Sequence, residues 1–130
     1  QEGAKRLIDA SNKNNVKKFV MLSSMGADQP EKAEQLQDYL KAKQNADEYL
    51  KSSGLNYSIV RPGSLTNGEL TNKIQLETKL NKSGEISRND VAQTLVRSLN
   101  DDVANNATFE ILKGETLIGD ALNTVSKVNG

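Results

Sequence analysis

The chain has 130 residues, which fits one domain, and its 17 Lys and Arg residues balance 17 Asp and Glu residues. This balance predicts no binding to nucleic acid or to an anionic membrane, and no apolar run approaches the ~18 residues of a transmembrane helix. Without His or Cys, the chain can form no disulfide and no thiolate site, and no Asp or Glu cluster has the spacing of an oxygen-ligand metal loop. We therefore expect a cytoplasmic protein without a metal, and Gln1 in place of an initiator Met indicates a chain that begins inside a longer protein or is processed.

The first half of the chain alternates helical and strand patterns. The apolar run at 19–22 is typical of a strand that is covered on both faces, and Gly54 fits the end of a long helix. We predict a helix over 2–12, a strand over 17–23 with a loop to 27, a helix over 30–53, and a strand over 57–61 that ends at Pro62-Gly63.

The second half begins with a polar segment, for which we predict a loop over 64–71. Ile74 and Leu76 alternate with polar residues, which favours a short exposed strand. Ser87 followed by Asp90 resembles a capping box, and the apolar stripe from Val91 to Leu99 predicts a helix. A strand over 108–112 and a terminal helix over 116–128 complete the pattern, which indicates an α/β fold with a parallel sheet and helices on its faces.

Tyr39 and Lys43 are four positions apart, so they lie on one face of a helix. A nearby ammonium favours the phenolate form of a tyrosine, which can then exchange a proton with a substrate hydroxyl or carbonyl. Ser23 and Ser24 follow a strand end, where ligands bind in a parallel sheet, and a serine there can hold the substrate oxygen. Together these groups form a proton-transfer site that needs neither histidine nor metal.

Each of these residues also has a purely structural interpretation. Tyr39 can be a half-buried helix aromatic with Lys43 as a stem that snorkels to solvent. The serine pair can be a polar loop, and Arg61-Pro62-Gly63 can be an ordinary turn. We interpret Asp38 and Asp47 as a solvated helix face, Asp90 as a helix cap and Tyr49 as packing.

Four segments together resemble the atypical short-chain dehydrogenases/reductases, in particular their NAD(P)-binding, epimerase/dehydratase-like members. The segments are KFVMLSSMGAD (18–28), YLKAKQNADEYL (39–50), SGLNYSIVRPG (53–63) and ISRNDVA (86–92). They occur in the family's order and spacing, and the resemblance covers nearly the whole chain.

The resemblance implies a Rossmann-type, doubly wound parallel sheet and assigns roles to specific residues. It implies Ser24 (or Ser23), Tyr39 and Lys43 as catalytic residues. It implies that Ser23, Lys43 and the segment Arg61, Pro62, Gly63 and Ser64 lie against NADP or NAD, with NADP slightly favoured. The chain has no Gly-x-x-Gly-x-x-Gly pattern, so it resembles only the C-terminal portion of a single domain.

The leading hypothesis is an NAD(P)-dependent oxidoreductase or epimerase that transfers a hydride on a small carbonyl or hydroxyl substrate, with tyrosine as acid and base. The alternative is a non-catalytic redox sensor of the NmrA-like type. A third is a half-domain without independent function, which would pair with a second copy or with the missing N-terminal half, because an open sheet edge invites pairing.

Overall fold

Helices and strands alternate along the chain in the computed structural model, which describes residues 2–32 and 37–129. The helices are α1 (Glu2–Lys13), α2 (Gln37–Lys51), α3 (Arg88–Ser98) and α4 (Ile118–Asn129). The strands are β1 (Phe19–Leu22), β2 (Tyr57–Pro62), β3 (Ser64–Thr66), β4 (Lys73–Glu77), β5 (Glu85–Ser87), β6 (Ala107–Lys113) and β7 (Thr116–Leu117).

The predicted helix over 30–53 is wrong at its start. Pro30–Lys32 form a single 3-10 turn, residues 33–36 lie outside the described part of the chain, and α2 begins at Gln37. The helix then runs to Lys51, and Gly54 follows it with a φ of 86°. A backbone position with φ in this range favours glycine, so the predicted end of the helix at Gly54 agrees with the observed backbone conformation.

The main sheet has five strands in the order β1-β2-β6-β4-β7. β1, β2 and β6 are parallel, with Leu22 beside Val60 and Arg61 beside Glu110. β4 runs antiparallel to both β6 and β7, so the predicted parallel sheet also contains an antiparallel part. The alternation of Ile74 and Leu76 predicted the strand β4, but a period of two residues carries no information about strand direction.

Helices cover both faces of the sheet. On one face, Ile8 of α1 and Leu50 of α2 pack on Met21 and Ile59. On the other, α3 and α4 pack through Val91, Ile118 and Leu122 on Val60 and Phe109. The neighbours Ile59 and Val60 point to opposite faces because successive strand residues alternate, which explains why both positions are apolar. The doubly wound α/β class is therefore confirmed.

A small second sheet was not predicted. β3 pairs in parallel with β5, where a loop over 64–71 was expected. Ile74 is fully buried, so the prediction that its strand is exposed is wrong, because β4 lies between β6 and β7. In α3 the predicted apolar stripe is only partly buried: Val91 is inside, whereas Val96 and Leu99 face solvent.

The predicted capping box at α3 is confirmed at Ser87, whose Oγ accepts from the backbone N of Asp90 at 3.0 Å. The Asp90 carboxylate also accepts from the backbone N of Thr71 and of Asn72 and from the Thr71 hydroxyl. Burial alone would raise the pKa of Asp90, but these donors together with Ser87 lower it below its usual range. Asp90 therefore fastens the segment before β4 to the start of α3.

Candidate active site

A cleft of about 510 Å³ opens at the carboxyl ends of β1 and β2. The cleft brings together predicted site residues from three separate segments; they are Ser24, Tyr39, Pro62, Gly63 and Ser64. Gly26 and Leu40 also line it, and residues 82–84 form a further wall. The strand ends meet here because β1 and β2 are parallel neighbours, and the backbone N of Met25 donates to the Pro62 carbonyl at 3.1 Å.

Tyr39 and Lys43 lie one turn apart on α2, as the spacing predicted. The Tyr39 side chain is 50% exposed, and the Lys43 Nζ stands 5.6 Å from the centroid of its ring. The same ammonium donates a hydrogen bond to the Leu22 carbonyl at 3.1 Å. A lysine ammonium has three donors, so this bond leaves two for other partners.

The side chains of Ser23 and Arg61 are buried and turn toward Asp47 of α2. Ser23 Oγ donates to Asp47 Oδ2 at 2.8 Å, and Arg61 donates to the same oxygen from Nη2 at 2.9 Å and from Nε at 3.2 Å. We expected both residues beside the cofactor, whereas the structure engages their side chains in an internal network. It is the residues after them, Ser24 and Pro62, that line the cleft.

The interpretation of Asp47 as part of a solvated face is wrong. Its side chain is fully buried, and burial raises the pKa of its carboxyl, although the bonds from Arg61 and Ser23 oppose that shift. The sequence did carry a signal: Arg61 interrupts a buried apolar strand, and a buried guanidinium requires a carboxylate partner. Asp47 is that carboxylate partner. It lies seven positions after Leu40 and three before Leu50, on the buried side of α2.

Gly63 is needed for a close approach of two backbone segments. A Cβ at this position would lie 2.6 Å from the Gly84 carbonyl oxygen and 2.5 Å from Leu112 Cδ2. The backbone N of Ser64 donates to the same Gly84 carbonyl at 3.0 Å. The contact between these two backbone segments therefore fixes the wall of the cleft that contains Ser64.

A second lobe of about 360 Å³ adjoins the cleft, and Met25, Gly26, Leu40 and Lys82 line both. Lys79 and Asp28 form an ion pair of 2.6 Å at this lobe. Burial would raise the pKa of Asp28. The hydrogen bond from Lys79 and the positive charges of Lys79 and Arg61 outweigh burial and lower this pKa below its usual range. Glu110 anchors the wall, because its Oε1 accepts from the backbone N of Leu80 at 2.8 Å.

The donors around the cleft fit one end of a nicotinamide cofactor. Three serines, an exposed phenol and an ammonium with free donor capacity can form hydrogen bonds with carbonyl and hydroxyl groups. The glycine-rich turn that receives a pyrophosphate does not occur in this sequence. Within the described ranges, no group of three or more acidic residues could hold a metal ion, and no helix is long and apolar enough to cross a membrane.

The fold and cleft define a nucleotide-binding α/β protein, and comparison with known proteins gives the family. Residues 1–102 match the NAD(P)H-binding family, so the chain belongs to it. The NAD(P)-binding, epimerase/dehydratase-like resemblance of the sequence is thereby confirmed.

Three similar proteins illustrate the relationship. The uncharacterized sugar epimerase YhfK of Bacillus subtilis is 38% identical over 93% of this chain, and sanguinarine reductase of Eschscholzia californica is 30% identical over 92%. A solved structure from Bacillus halodurans, provisionally assigned as an NAD-dependent epimerase/dehydratase, is 35% identical over 94% of the chain with a TM-score of 0.90. The chain spans 56%, 46% and 58% of the lengths of these three proteins.

Proposed function

We propose that this chain forms the nicotinamide end of the active site of an NAD(P)-dependent oxidoreductase or epimerase that acts on a small carbonyl or hydroxyl substrate. The observation that carries the proposal is the cleft itself, where Ser24 and Tyr39 line one space and Lys43 stands over the Tyr39 ring. The family match supports a nicotinamide cofactor, and the names of the relatives include both an epimerase and a reductase.

When bound, a dihydronicotinamide supplies a hydride to the carbonyl carbon of the substrate. Tyr39 donates its phenolic proton to the carbonyl oxygen, and Ser24 holds that oxygen through a hydrogen bond. The carbonyl becomes a hydroxyl and the phenol becomes a phenolate, which the Lys43 ammonium stabilises electrostatically. The reverse reaction uses the same groups, with Tyr39 as the base.

Lys43 can serve two partners without leaving its place. One of its three donors is occupied by the Leu22 carbonyl at 3.1 Å, which holds the ammonium beside the Tyr39 ring. The remaining donors are available for a ribose hydroxyl of the cofactor. The backbone from Pro62 to Ser64, which lines the same cleft, would then lie along the cofactor.

The substitution Tyr39→Phe tests this assignment in the full-length protein. The phenyl ring keeps the shape of the cleft but cannot transfer a proton, so we expect turnover of a panel of small carbonyl compounds to fall by roughly 10²–10⁴-fold. The fluorescence titration of NADPH and of NADH should give unchanged affinities and also establish which cofactor is preferred. Tyr49→Phe, on the same helix but directed at Asp9, is the matched control and should keep full turnover.

The outcomes separate the candidate functions. Full activity of Tyr39→Phe would remove tyrosine from the mechanism. A wild-type protein that binds NADPH but turns over no carbonyl or alcohol would instead support a non-catalytic cofactor-binding sensor.

A further inference from the structure

We infer that Asp47, with Ser23 and Arg61, is a positioning cluster that sets the placement of Tyr39 and Lys43 relative to Ser24. This inference rests on the proposed function of those three residues. The cluster itself touches neither the substrate nor the cofactor in the proposed mechanism, and acts only through the residues that do.

The spacing of residues along α2 supports this inference. Tyr39, Lys43 and Asp47 are successive turns of one helix face. Lys43 contacts the carbonyl of Leu22, and Asp47 accepts from the hydroxyl of the next residue, Ser23. Two consecutive turns of the helix are thus fastened to two consecutive residues at the end of β1, which fixes both the axial position and the rotation of α2.

The cluster also joins the three elements from which the cleft is built. A single oxygen, Asp47 Oδ2, receives hydrogen bonds from Ser23 at the end of β1 and from Arg61 in β2. Each of these residues directly precedes a residue that lines the cleft, Ser24 and Pro62 respectively. A movement of Asp47 therefore displaces the helix that carries Tyr39 against both strand ends.

The chemistry of the three side chains also favours a positioning role. A buried ion pair costs desolvation energy and is often replaceable by apolar residues of similar size, so it is weak evidence for stability alone. An apolar contact, however, has little directionality, whereas the planar guanidinium and the carboxylate accept only a narrow range of geometries. The polar cluster thus supplies an alignment that Leu40 and Leu50 on the same helix cannot supply.

The test uses a signal that depends on the Tyr39–Lys43 geometry and on no cofactor. The Lys43 side chain lies over the Tyr39 ring, so its ε protons should show an upfield ring-current shift in an NMR spectrum of the chain. Tyr39→Leu removes the ring and identifies the signal. We expect Ser23→Ala and Asp47→Asn to move this resonance toward its random-coil position, and Ser23→Thr, which keeps the hydroxyl, to restore it.

Ser52→Ala is the matched control, since this hydroxyl donates to the carbonyls of Glu48 and Tyr49 in the last turn of the same helix; it should leave the resonance unchanged. Melting temperatures are recorded for every variant. Variants that melt lower but keep the wild-type Lys43 shift would overturn the inference and reduce the cluster to a structural ion pair. If Asp47→Asn does not fold, Ser23→Ala, which leaves the Asp47–Arg61 pair intact, decides the question. A full-length protein that binds neither NADPH nor NADH, together with a chain that shows these shifts, would refute the proposed function and retain the alignment.

Discussion

At the scale of single residues, two buried aspartates show how partners decide the behaviour of a carboxylate. Asp47 receives its bonds on one oxygen, and burial prevails, so its pKa is raised. Burial also acts on Asp90, but its several donors prevail and lower its pKa. The sequence predicted the cap at the start of α3, where Ser87 accepts from the backbone N of Asp90, because capping depends on near neighbours, but it did not predict the bonds from Thr71 and Asn72 to the Asp90 carboxylate. It did not predict the role of Asp47, whose partners lie on two other elements.

Asp90 should contribute stability that depends on pH. Its folded-state pKa is below the unfolded value, so the contribution is present above about pH 4 and is lost as the pH falls through the folded-state pKa. We expect Asp90→Asn to lower the free energy of unfolding by roughly 1–3 kcal/mol at pH 7, with the difference shrinking toward pH 2. Urea unfolding at both pH values measures this. Asp102→Asn, at an exposed position, is the control, and a deficit that is equal at both pH values would contradict the assignment.

At the scale of elements, long periodic segments were predictable and short ones were not. The strands β1, β2 and β6 and the capped start of α3 follow from local sequence. β3 and β5 have only three residues each, too few to show a period, and they exist because they pair with each other. The predicted helix start at Pro30 is a 3-10 turn in the structure, and the helical pattern of the sequence does not distinguish such a turn from the α-helix that begins at Gln37.

The substitution Gly63→Ala probes the close approach of backbone segments in the cleft wall between β2 and β3. In Gly63→Ala the new methyl group meets a backbone carbonyl, which cannot rotate away as a side chain can. We expect a loss of about 1–3 kcal/mol in the free energy of unfolding, as for other overpacked sites. Gly3→Ala in α1 meets no atom within 4 Å and should instead stabilise the chain slightly. Denaturant titration of both variants gives the comparison, and a neutral Gly63→Ala would contradict the close approach.

At the scale of the whole molecule, the sheet has an open edge. Within the described part of the chain, β1 pairs with β2 alone, and Leu22 at its end is exposed. An unpaired strand edge is a template for association with another chain. The alternating pattern of helices and strands predicted the α/β class, and the family resemblance implied a half-domain with an open sheet edge. Which strand forms that edge follows only from the tertiary structure.

The open edge predicts association that depends on concentration. Sedimentation velocity of the purified chain should show larger species as the concentration rises. Leu22→Lys places a charge on this edge and should shift the distribution toward monomer. Leu99→Lys changes another exposed leucine, at the C-terminal cap of α3, and should have no such effect. If both variants behave alike, general surface hydrophobicity rather than the strand edge drives the association.

We propose above all that the cleft between Ser24, Tyr39 and Ser64 receives the nicotinamide end of the cofactor. An NMR titration of the isotope-labelled chain with reduced nicotinamide mononucleotide measures this binding most directly. We expect saturable shift changes at Ser24, Gly26, Tyr39 and Gly63, with Val96 and Leu99 of α3 unaffected. Adenosine monophosphate, the other half of the cofactor, should cause none of these changes because the chain carries no glycine-rich turn. Shift changes that lie elsewhere, or that adenosine monophosphate produces equally, would contradict the assignment of this cleft.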